Sequence, residues 1–131
     1  MKNISDAADL MATARNALLN DLLPALPKDR RYAGLMIANV MAIAAREHRS
    51  GGDAIHGEAQ RLARLLADLE PDAATTHTDS TGAELPKLRR ALASAIRLGY
   101  FDDPRHQRAL RVHIARTAAD WVAISNPKAL R

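Results

Sequence analysis

The run Ala33-Gly34-Leu35-Met36-Ile37-Ala38-Asn39-Val40-Met41-Ala42-Ile43-Ala44-Ala45 decides the fold class, because only Gly34 and Asn39 interrupt thirteen otherwise apolar or alanine positions. Such a run suits a helix enclosed on most sides. Two strips emerge at helical spacing. Gly34, Ala38, Met41 and Ala45 carry mostly small side chains that let a neighbour approach closely, while Tyr32, Met36, Asn39, Ile43 and Arg46 mix apolar bodies with polar heads. Asp29 is a plausible cap, and the helix runs to about Arg49.

The rest of the chain follows the same grammar. It has 27 alanines and 17 leucines but only four aromatic residues among 131, so helix formers dominate and strand formers are scarce. A first helix starts at Ser5 or Asp6, buries Leu10, Ala14, Ala17, Leu18 and Leu22, and stops at Pro24. Ser50-Gly51-Gly52-Asp53 reads as a stop for the second helix and a cap for a third, whose seam is Ile55, Ala59, Leu62, Leu66 and Leu69, with Glu58, Arg61, Arg64 and Asp68 facing water. Residues 70–84 form a long polar loop, read either as mobile or as a lid. Pro86 opens a fourth helix, with Leu88, Leu92, Ala95 and Ile96 inward before Gly99 closes it. Asp103-Pro104 opens a fifth, with Leu110, Ile114, Ala118, Trp121 and Ile124 inward, and Asn126-Pro127 stops it. The expectation is an all-α, compact bundle of about five mostly antiparallel helices, one domain over 1–131.

Composition excludes several chemistries. Without cysteine there is no disulfide framework, iron–sulfur cluster, cysteine zinc site or thiol nucleophile. Aromatic poverty argues against base-stacking platforms. No signal-peptide pattern opens the chain and no run of 18 apolar residues occurs, so the expected location is the cytoplasm, away from membranes. His48, His56, His77, His106 and His113 lack the three- or four-residue spacing of helix-borne metal ligands and read as exposed helix histidines. No nucleophile elbow, phosphate loop or paired acid/base constellation is present, so neither metal, cofactor nor catalytic residues are assigned.

Charge gives a second clue. The net +4 is unevenly placed: residues 85–131 hold ten basic and three acidic residues, the remainder nine and twelve. Arg89, Arg90, Arg97, Arg105, Arg108 and Arg111 form a candidate patch for phosphates or an acidic partner, alongside the plain reading of a solvated helix surface. The connection between the last two helices is long for a helix-turn-helix reader, so sequence-specific nucleic-acid recognition is not expected. Asn39 raises a different question, since a carboxamide in an apolar helix costs stability unless its hydrogen bonds are met. It reads either as a structural residue bonded locally, or as one member of a groove with Tyr32 and Arg46, each seven apart, and Glu47 beside them.

Leu22-Leu23-Pro24-Ala25-Leu26, Arg31-Tyr32-Ala33, Ile37 to Ile43 and Arg46-Glu47 resemble a bacterial all-helical domain family of unknown function. Leu88-Arg89-Arg90-Ala91-Leu92, Ala95-Ile96-Arg97, Phe101-Asp102-Asp103 and Asn126-Pro127-Lys128 resemble it in the same order. The resemblance implies a small protein encoded near acyl-CoA dehydrogenases and kinases similar to aminoglycoside phosphotransferases. Three functions are then in play. The leading one is a non-enzymatic accessory module that binds such a protein partner or dimerises; the alternative is a ligand-binding or enzymatic site between helices for an acyl-CoA or phosphate compound; non-specific nucleic-acid binding is third.

Overall fold

The computed structural model describes residues 6–69 and 82–131, and it contains four α-helices: α1 (Ala7–Ala17), α2 (Lys28–Ala67), α3 (Leu85–Arg97) and α4 (Pro104–Ser125). No strand occurs among the described residues, and no helix there is long and apolar enough to cross a membrane. The expected lid or mobile segment lies outside the described residues up to position 81; Gly82–Glu84 form a 3-10 turn leading into α3.

The expected five helices become four because α2 runs straight through Ser50-Gly51-Gly52-Asp53. Two interior glycines cost about 2 kcal/mol relative to alanine. Ending a helix at glycine ordinarily uses a positive φ, and among the described residues only Gly99 has one, at 81°. Side chains on either side of the glycines are tied within their own units: Arg49 bonds Asp9 at 3.2 Å, and Glu58 is clamped by Arg89. A methyl group at Gly52 would meet nothing within 4 Å. Gly52→Ala is therefore expected to raise stability by about 1 kcal/mol in urea unfolding, whereas a glycine needed as a helix stop would make the same change destabilising.

Contacts sort the chain into two compact units, one up to Gly51 with Ile124–Ala129, the other Gly52–Ala123. In the first, the Asp6 side chain accepts the Asp9 N–H at 2.9 Å and caps α1 as its sequence predicts. After α1 the chain widens into a π-turn (Leu18–Leu22) and then tightens into a 3-10 turn (Leu23–Ala25) at Pro24. The small-residue strip of α2 does what its spacing predicts. Gly34, Ala38 and Ala45 are buried, and a Cβ at Gly34 would lie 2.9 Å from the Leu23 Cδ1. Arg15 adds a tie by donating from Nε to the Ala38 carbonyl at 3.2 Å.

The other side of the first half of α2 is not enclosed. Tyr32 is 74% and Val40 58% exposed, with Leu35, Met36 and Ile37 also at the surface. The reason is plain in the packing: α1 and the Leu23–Leu26 segment cover one side of α2 only.

The second unit is built around Ala59, Leu62, Leu65, Leu85, Ala95 and Phe101, flanked by Ile55, Leu88, Leu92 and Leu110. Gly99 closes α3 as its position suggests, and Asp103 caps α4 by accepting the His106 N–H at 3.1 Å. Ile96 and Ile114, expected inside, are exposed, as is Ala118. On α4 the inward row runs through Leu110, His113, Thr117 and Trp121. Leu110, Trp121 and Ile124 are inward as expected, and the row is displaced by one residue only in its middle, where His113 and Thr117 stand in for Ile114 and Ala118.

Candidate functional site

Tyr32, Asn39 and Glu47 are exposed along the first half of α2. Arg46 is half-buried, and its Nε donates to the Ile124 carbonyl at 2.6 Å, which ties the end of α4 to α2 within the first unit. Asn39 reaches solvent, so its carboxamide carries no burial penalty. What surrounds these polar groups is the larger feature. Leu35, Met36, Ile37 and Val40 expose apolar side chains on the same two turns.

The candidate arginines divide into two sorts. Arg89 is taken up by Glu58, with Nε and Nη2 each 2.7 Å from a carboxylate oxygen. Arg90, Arg97, Arg105, Arg108 and Arg111 are exposed, and none forms an ion pair among the described residues. Arg105 and Arg108 flank an open depression of about 610 Å³ on α4, completed by Pro104, Ala109 and Val112.

A polar cluster inside the second unit was not anticipated. Glu58, expected to face water, is only 4% exposed, and Arg61 is half-buried. Arg61 reaches α4, donating from Nη2 to Asp120 at 3.1 Å and to the Thr117 hydroxyl at 3.4 Å. Arg116 reaches Asp120 at 3.3 Å, the four-residue spacing at which opposite charges meet on one helix face, and converges on the same carboxylate. The Trp121 side chain donates to Glu58 as well. His113, expected on the surface, is 7% exposed beside these groups. Neither its Nδ1 nor the Nε of Arg61 has a hydrogen-bond partner among the described residues.

Electrostatics fixes the charge states. The hydrogen bond from Arg89 holds the Glu58 carboxyl below the ordinary carboxylate range, overcoming the opposing effect of burial, and Glu58 in turn raises Arg89. Burial pushes the His113 imidazole below its usual 6.5, helped by the Arg61 cation and opposed by Glu58. Glu58 is thus a committed carboxylate and His113 a neutral ring, an arrangement suited to locking α2, α3 and α4 together.

This has a pH consequence. Because the folded-state pKa of His113 is depressed, its contribution to stability is complete above about 6.5 and declines as pH falls through the folded value. Glu58 adds a further loss below 4.5. Urea midpoints should therefore drop between pH 7 and 5, and His113→Leu should flatten that part of the curve. An unchanged slope in the variant would remove His113 as the cause.

Glu58 carried a readable signal: it shares an arc with Leu62, Leu65 and Leu69 at spacings of four, three and four. His113 carried a weaker one, since Ile114 beside it is the more plausible core residue by type. Among the described residues no group of three or more histidine, aspartate and glutamate side chains could hold a metal ion.

A family model described as a domain of unknown function, DUF6285, matches residues 24–129. The chain belongs to this family. The matched stretch takes in α2, α3 and α4, and hence the exposed face, the arginines and the internal cluster. No curated protein and no solved structure matches the chain.

Proposed function

We propose that the chain is a helical accessory module that docks a protein partner through the exposed apolar face of the first half of α2. The observation that carries this reading is the contiguity of Tyr32, Leu35, Met36, Ile37 and Val40 on a helix whose other side is already packed. Exposed apolar area of this extent is stabilised by burial at roughly 25 cal/mol per Å². The resemblance described above points to an acyl-CoA dehydrogenase or a small-molecule kinase as the first partner to try, and a second copy of the chain is the competing occupant.

The test is co-purification and light scattering of the full chain against Met36→Glu/Val40→Glu. Both substituted positions are exposed, so the variant should keep its helical content and melting temperature. The wild-type chain is expected to hold a partner or a second copy and the variant to lose it, by about tenfold or more in affinity. A wild-type chain that stays monomeric and retains neither candidate, or an association that the variant leaves intact, would overturn the reading.

A further inference from the structure

We propose a second docking surface, in the other unit, where the depression on α4 between Arg105 and Arg108 receives an acidic peptide segment of a partner protein that also carries aliphatic side chains. Arg105, Arg108 and Val112 follow one another at spacings of three and four, which sets them on one side of α4. The opposite side, with Leu110 and His113, is turned into the core. Pro104, Ala109 and Val112 give the depression an aliphatic floor, and Val112 is 66% exposed on it.

The two arginines are available. Among the described residues Asp103, two positions before Arg105, is engaged elsewhere, since it caps α4 and contacts the His106 ring. Among the described residues Arg105 and Arg108 form no ion pair, and neither does Arg111, one turn beyond Arg108. A guanidinium fork accepts a carboxylate through two parallel hydrogen bonds, so a partner bearing carboxylates on one side satisfies this rim.

The floor separates a peptide from other anions. A phosphate ester or a nucleic-acid backbone gains from the arginines alone, and no aromatic side chain lines the depression to stack a base. An acidic peptide with leucine or isoleucine between its carboxylates gains from the arginines and from covering Val112 and Ala109. The surface therefore favours a mixed acidic and aliphatic segment.

Fluorescence anisotropy on the full chain tests this with a labelled Glu/Leu helical peptide, a Glu/Ser peptide of equal charge, and duplex DNA. Binding of the Glu/Leu peptide is expected to weaken by about tenfold or more in Arg105→Glu/Arg108→Glu and severalfold in Val112→Ser. Arg90→Glu/Arg97→Glu and Val40→Glu should leave it unchanged, the latter distinguishing this surface from the face on α2. No binding of the Glu/Leu peptide would overturn the proposal. So would equal binding of the Glu/Ser peptide or DNA with no effect of Val112→Ser, since that is simple polyanion attraction, and so would loss of binding in Val40→Glu.

Discussion

Arg89→Ala is expected to cost about 3 kcal/mol of folding stability, while Glu58→Gln, which disrupts the same ion pair, should cost about 1 kcal/mol. The asymmetry follows from burial. The Glu58 side chain is only 5% exposed, whereas that of Arg89 is 51% exposed. Removing the arginine leaves a carboxylate inside the second unit whose charge is still stabilised by hydrogen bonding from the Trp121 side chain. Removing the acid leaves a guanidinium that can turn to water, so solvent screening limits that loss. Urea unfolding at neutral pH measures both.

Acidity supplies an internal check. With Arg89 absent, burial would dominate at Glu58 and raise its pKa, so the penalty of Arg89→Ala should shrink as pH falls and the carboxyl takes up a proton. Equal costs for the two variants, or a penalty that does not shrink in acid, would mean that the pair is not the clamp described.

The second large effect is expected at Leu62, the one large side chain that is fully buried, at 0% exposure among the described residues. Leu62→Ala should destabilise by about 3 kcal/mol, the sum of lost transfer free energy and the cavity left among its neighbours. Ala59, Leu65 and Phe101 share its cluster. Leu98, at 72% exposure, is the matched control, and Leu98→Ala should fall within about 0.5 kcal/mol of wild type. Comparable losses at the two leucines would contradict the placement of the core.

The two units differ in what holds them. In the second, leucine packing and a charge cluster act together, and the pH dependence expected of His113 reports first on its burial and then on its charged neighbours. In the first, small residues bring α2 against the Leu23–Leu26 segment, and backbone carbonyls at Ala38 and Ile124 receive arginines. That close approach leaves the opposite apolar side of α2 at the surface, with Tyr32, Met36 and Val40 exposed, and the proposed docking role rests on this exposure.

Residue pattern alone determined the all-helical class, the caps at Asp6 and Asp103, the turn at Gly99, the close-packing strip of Gly34, Ala38 and Ala45, and the Arg116 to Asp120 pair. These are local: each depends on backbone hydrogen bonding or on side chains one turn apart, and such preferences act whatever the rest of the chain does. The candidate arginines were legible as a basic region, yet not their division into a clamped Arg89 and neighbours without an ion pair among the described residues. Only tertiary structure decided that Gly51 and Gly52 stay within one helix, that Glu58 and His113 are internal, and that the most apolar stretch of the sequence is partly exposed. Each of those depends on what lies across from a residue in space, where packing worth several kcal/mol outweighs a glycine's propensity or a charge's preference for water. The periodicity of one helix shows which face is apolar, but the covering of that face belongs to its neighbours.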